Sequence, residues 1–186
     1  MTTSPRLPAG LVRRAADAGT GADSVVTEAE LNRVAELALR RDARMVTIGR
    51  GRSAAAAGAA AAFARRWQDQ GRIVLDVVTW PEEAASWLRQ ASRFAAADPD
   101  LWVMAGPPGG WAQMTRRLLW STPWEPGRTI AFAALGTERA IGLVGADNLS
   151  GLTGATAHGG TWAVRDGQLI RPRRGRPGRA CAADLT

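Results

Sequence analysis

The sequence predicts an α/β fold: three layers, α/β/α, with a parallel sheet of about four strands and a C-terminal β-hairpin. Three observations carry that prediction. Short apolar runs alternate with amphipathic stretches of about 12–18 residues, the pattern of βαβ crossovers. Two of the apolar runs end in glycine-rich turns, at residues 49–53 and 106–110. Asp166-Gly167 joins the last two apolar runs, and an Asp-Gly pair in that place signals a two-residue hairpin.

The elements follow in order. Residues 1–43 form an N-terminal arm and a first helix. The arm, 1–24, is rich in Gly, Pro, Ala and Thr. Thr27-Glu28-Ala29-Glu30 fits a capping box, with the Thr hydroxyl on the third amide and Glu30 reaching back. Leu31, Val34, Ala35 and Ala38 follow at helical spacing, and the helix ends near residues 41–42. The first strand is 44–48. Ser53 caps the next helix, on which Phe63 and Trp67 share a face, and Gly71 suits its left-handed C-terminus. The second strand, 73–79, is apolar enough to be central. Pro81 opens a third helix that buries Ala84, Trp87, Leu88, Ala91 and Phe94, with Glu82 and Glu83 in its first turn. Asp98-Pro99-Asp100 turns into the third strand, 101–105. A fourth helix carries Trp111, Met114 and Leu118, and the fourth strand is 129–134. Residues 135–149 read as irregular or briefly helical, and 151–160 as a Gly/Thr-rich loop. The lobe with its hairpin therefore covers 44–170. The tail, 171–186, has no periodicity and reads as disordered.

Composition narrows the chemistry. The chain has 186 residues, enough for one domain that buries about 70% of its unfolded surface. It contains one cysteine, Cys181, which excludes an intrachain disulfide or zinc cluster. His158 is the single histidine. It excludes multi-histidine metal sites and leaves a Ser-His-Asp hydrolase dependent on one loop residue. All 24 basic side chains are arginine, and tyrosine is absent, the signature of a GC-rich, actinobacterium-like coding sequence. The formal charge of +7 favours anionic partners in general. There is no apolar run long enough for a secretory or membrane segment and no lipobox cysteine. As it stands the chain reads as cytoplasmic, or as a piece of a longer protein.

The glycine turns sit where an open α/β sheet binds ligands, beyond the carboxyl ends of its strands. The candidate rim is Arg50, Gly51, Arg52, Ser53, Trp80, Gly106 and Trp111. Helix-start N–H groups there favour an anionic or strongly polar group. Gly49-x-Gly51-x-x-Ala54 also fits a dinucleotide fingerprint, which makes an NAD(P)-dependent oxidoreductase an alternative. That fingerprint wants an acid closing the second strand, whereas Asp76 lies mid-strand. In the tail, Arg174-Gly175-Arg176-Pro177 resembles an AT-hook. Arg174 and Arg176 would then lie along a minor groove, a second alternative.

From about residue 43 to 170 the chain resembles one lobe of a type I periplasmic binding protein, the leucine-binding-protein-like family of ABC-transporter solute receptors. Val46-Thr47-Ile48-Gly49-Arg50-Gly51, residues 98–106, the helix with Met114 and Leu118, and Pro126-Gly127-Arg128-Thr129-Ile130 carry the resemblance. Gly151-Leu152-Thr153-Gly154-Ala155-Thr156, Trp162-Ala163-Val164 and Asp166-Gly167 add to it. The resemblance implies a non-catalytic module for an amino acid or similar polar solute, with no cofactor. It implies closure against a second lobe or subunit, and members that are usually exported. The family often places an aromatic or acidic residue after the third and fourth strands of this lobe. Here those places hold Gly106 and Ala134 or Leu135.

Overall fold

A computed structural model describes residues 25–172. The helices are α1 (Glu28–Leu39), α2 (Ala54–Asp69), α3 (Leu88–Ala96), α4 (Pro108–Ser121) and α5 (Glu138–Val144). The strands are β1 (Met45–Arg50), β2 (Ile73–Thr79), β3 (Leu101–Ala105), β4 (Thr129–Ala131), β5 (Thr153–Ala155), β6 (Thr161–Arg165) and β7 (Gln168–Ile170). They form one seven-stranded sheet in the order β2-β1-β3-β4-β5-β6-β7. The first five in that order are parallel, and β6 and β7 continue the sheet antiparallel.

The local chemistry explains most boundaries. Thr27 caps α1 by accepting the Glu30 N–H at 3.1 Å. Ser53 caps α2 by accepting the Ala56 N–H at 3.2 Å. Gly71 leaves α2 with φ +71°. The Asp166-Gly167 turn has φ +50° and +69°, the two positive values that a type I′ hairpin requires. Along β3 the side chains alternate between two cores. Leu101, Val103 and Ala105 join α1 and α2 with Val46, Ile48, Phe63 and Trp67. Trp102 and Met104 join α3, α4 and α5 with Phe94, Trp111, Met114 and Trp162. Burial on both faces is why the strand reads as a continuous apolar run. Phe63 and Trp67 stack at 5.5 Å.

Several expectations change. β1 runs two residues past Ile48, so Gly49 is a strand residue and not part of the turn. β2 is an edge strand, with Ile73 53% exposed, rather than a central one. A bulge between Val46 and Thr47 shifts its register, and Asp76 pairs with Arg93 of α3 at 2.6 Å; both blunt the edge against further pairing. α3 starts at Leu88 instead of Pro81, because the segment before it is held in tertiary contacts. The Trp87 indole donates to the Pro81 carbonyl at 3.0 Å, and Glu82 reaches α4. Ala84 and Leu88 are consequently exposed. β4 stops at Ala131, and Ala133–Leu135 forms a 3₁₀ turn.

The fifth parallel strand, β5, lay hidden in the Gly/Thr-rich stretch. Its Gly154 allows the close approach it makes: a Cβ there would lie 2.2 Å from the Ala131 carbonyl and 2.4 Å from the Trp162 ring. The β5–β6 loop is fastened to α1. Arg33 Nε donates to the Gly159 carbonyl at 2.8 Å, and the Thr27 hydroxyl to Ala157. His158, in the same loop, is also engaged. Helix α1 is thereby a working part of the lobe.

Candidate functional site at the carboxyl edge of the sheet

The parallel strands β1, β3, β4 and β5 end together. Their loops stand side by side through backbone bonds, Gly51 N–H to Ala105 O at 2.9 Å and Phe132 N–H to Met104 O at 3.0 Å. Helix α1 is joined to β1 by a short turn and runs back along the sheet. Its N-terminus therefore also arrives at this edge. Between these parts lies a cavity of about 320 Å³, open at one side. Glu30, Ser53, Gly106, Phe132, Ala134 and Thr137 are among the residues around it.

The rest of its lining is mainly alanine and valine, and Glu30 is the one charged residue among the described residues that line it. Its Oε1 accepts the Ala133 N–H at 2.7 Å. Burial raises the Glu30 carboxyl above the usual glutamate range, while the Ala133 and Thr27 N–H groups partly draw it back. The hydroxyls of Ser53 and Thr137 accept the Ala56 and Ala140 N–H groups.

The expected rim divides in two. Ser53 and Gly106 line the cavity. Gly51 and Arg52 sit beside it, at a second glycine mouth that the chain itself fills. Glu82 places its carboxylate there and accepts the Gly110 N–H, at the start of α4, at 2.8 Å. Added Cβ atoms at Gly51 and Gly110 would lie 2.6 Å and 2.3 Å from that carboxylate. Burial raises the Glu82 carboxyl, and the Gly110 and Arg52 N–H groups offset this in part. Gly106 has φ +153° and packs on the Gly51 backbone, which explains its identity. Arg50 turns its guanidinium to the Gly51 carbonyl at 3.2 Å.

Trp80 and Trp111 are wholly enclosed in the core over α3 and α4, so neither ring faces the rim. The glycines of the fingerprint serve packing. A Cβ on Gly49 would lie 2.5 Å from the Trp80 ring and 2.7 Å from Phe94. The space a dinucleotide fingerprint keeps open for pyrophosphate is occupied here by two rings and a carboxylate. Arg174 and Arg176 lie outside the described residues. No group of three or more potential metal ligands occurs among the described residues. None of the described helices is long and apolar enough to cross a membrane.

Of the lining, only Ser53 and Gly106 were on the expected rim; Glu30, Phe132, Ala133 and Thr137 are among the residues that sequence reasoning missed. A signal for Glu30 existed: a helix that turns straight into β1 must begin where β1 ends.

No protein-family model matches the sequence, and no curated protein does. Solved structures do match in fold. A putative branched-chain amino acid ABC transporter protein from Rhodospirillum rubrum aligns with a TM-score of 0.58 at 16% identity, over 68% of this chain and 35% of its own. One from Silicibacter pomeroyi gives 0.59 at 16% identity, over 80% and 40%. A leucine-binding protein from Thermotoga maritima gives 0.57 at 16% identity, over 68% and 37%. The chain thus spans between a third and two-fifths of the length of these structures. Its fold is that of part of a type I periplasmic binding protein, in keeping with the resemblance in its sequence.

Proposed function

We propose that the chain is a non-catalytic binding module for a small polar solute, amino-acid-like or similar, taken up in the carboxyl-edge cavity. The observation that carries this reading is the cavity itself. It lies beyond the ends of parallel strands, where open α/β sheets hold ligands, and the strand-end loops and the starts of α1, α2 and α5 shape it. The fold shared with solute-binding proteins supports it at the level of architecture. One lobe covers one side of a ligand, so tight binding calls for closure against a second lobe or subunit.

The test is a solute screen read by amide chemical shifts. Amino acids, amines, carboxylic acids and sugars are titrated into labelled protein. A binder is expected to move the amides of Ser53, Gly106, Ala133 and Ala134. Filling the cavity with Ala134→Leu should abolish those shifts without altering the rest of the spectrum. Shifts that map elsewhere, or that survive Ala134→Leu, would refute the assignment.

A further inference from the structure

We infer that Glu30 makes this cavity selective for a solute that carries a protonated amine on a small apolar body. The inference rests on the binding-module reading and adds the chemical class of the ligand. Glu30 is 6% exposed, yet it lines the cavity. Its neighbours there, including Ala55, Ala59, Ala105 and Phe132, are apolar and cannot compensate a charge. The groups that steady the carboxylate are the Ala133 and Thr27 N–H dipoles, and no arginine lines the cavity among the described residues.

A carboxylate held this way is costly unless a cation joins it. A carboxylate also accepts more bonds than two N–H groups donate. An ammonium group entering the cavity supplies an opposite charge and further donors, in a charge-assisted bond. An anion would meet the Glu30 charge with no guanidinium to offset it. The cavity's size, about 320 Å³, suits a body of a few carbons against the alanine walls.

Glu30→Gln isolates the charge. Glutamine at this position still offers an oxygen to the Ala133 N–H and gives up at most the second N–H partner of the carboxylate. The probes are n-pentylammonium, n-pentanol and pentanoate, each titrated to tens of millimolar against labelled protein. The expected result is saturable shifts at Ala55, Ala133 and Ala134 with the amine, little with the alcohol and none with the acid. Glu30→Gln should weaken the amine at least about tenfold while its spectrum stays dispersed.

The comparison of the three probes on the unaltered protein is independent of whether the variant folds. Equal binding of amine, alcohol and acid, or amine binding unchanged in a folded Glu30→Gln protein, overturns the role of Glu30 and leaves the binding module standing. If none of the three probes moves the cavity amides, the amine selectivity falls, while the binding module stands or falls by the wider solute screen.

Discussion

Replacing Gly49 with alanine tests whether the Gly-x-Gly turn serves packing or a cofactor. The added Cβ would lie 2.5 Å from the Trp80 ring and 2.7 Å from Phe94, and both side chains are fully buried. An ordinary contact is about 3.5–4.0 Å, so two enclosed rings must each retreat by about 1 Å. Such overpacking costs about 1–3 kcal/mol, and with two fully buried rings to displace at once the cost falls in the upper part of that range. In a domain of this size about 1 kcal/mol lowers Tm by about 2–4 °C, so a fall of roughly 4–12 °C is expected. The matched control is Gly58→Ala. Gly58 is exposed in the middle of α2, and a Cβ there meets nothing within 4 Å. That change should stabilise the chain by about 0.5–1 kcal/mol through helix propensity. Both variants are measured by thermal and urea unfolding, with NADP added in a parallel series. A Gly49→Ala protein within about 0.5 kcal/mol of the parent would refute the packing argument. A stabilisation of the parent by NADP that Gly49→Ala removes would restore the dinucleotide reading.

Two further predictions use the carboxylates. Glu82 is raised above the usual glutamate value of 4.5 by burial, so its favourable contribution is complete below that value and is lost as pH rises through its folded value. Glu82→Gln keeps an acceptor for the Gly110 N–H and should remove that loss. Its Tm advantage over the parent should grow from acid to neutral pH, and a constant difference would contradict the assignment. Asp100 behaves in the opposite sense. Its carboxylate accepts the Met45 and Arg44 N–H groups, each at 2.8 Å, which hold its pKa below the usual 3.8. Its contribution is therefore present above 3.8 and lost as pH falls through the depressed value. Asp100→Ala should cost about 1–2 kcal/mol in urea unfolding at neutral pH, for two lost bonds at an exposed turn. The cost should shrink in strong acid.

What the sequence made legible follows from the range of the forces involved. Caps and turns are local, and Thr27, Ser53, Gly71 and Asp166-Gly167 behave as their chemistry requires. β2 and β3 begin and end where their apolar runs do. The misses are places where a distant contact decides. The segment before α3 is kept from continuing the helix by Glu82 and Trp87, whose partners include the start of α4, 28 residues away. β5 is three residues long and centred on a glycine, so neither propensity nor alternation marks it. It exists because β4 and Trp162 lie on either side. β2 reads as central because its exposed positions carry Ile73, Leu75 and Val77, so the alternation of its burial is not written in residue polarity.

The two acids near the sheet edge show why the site was only half visible. Read locally, Glu30 belongs to a capping box, and Glu82 to the first turn of a helix where a carboxylate meets the dipole. Glu82 does meet a helix start, but it is the start of α4, and in doing so it closes the mouth that Gly51 and Gly110 would otherwise leave open. Glu30 does complete a cap, but its helix begins at the cavity, so the same carboxylate faces solute space. Each residue keeps the electrostatic role that its neighbours predict, an acid beside unpaired N–H groups. Topology decides which mouth each one serves. The anion site inferred from the glycine turns is therefore already satisfied from within the chain. The space that stays open holds the Glu30 carboxyl group instead, and on that rests the inference of a cationic rather than an anionic ligand.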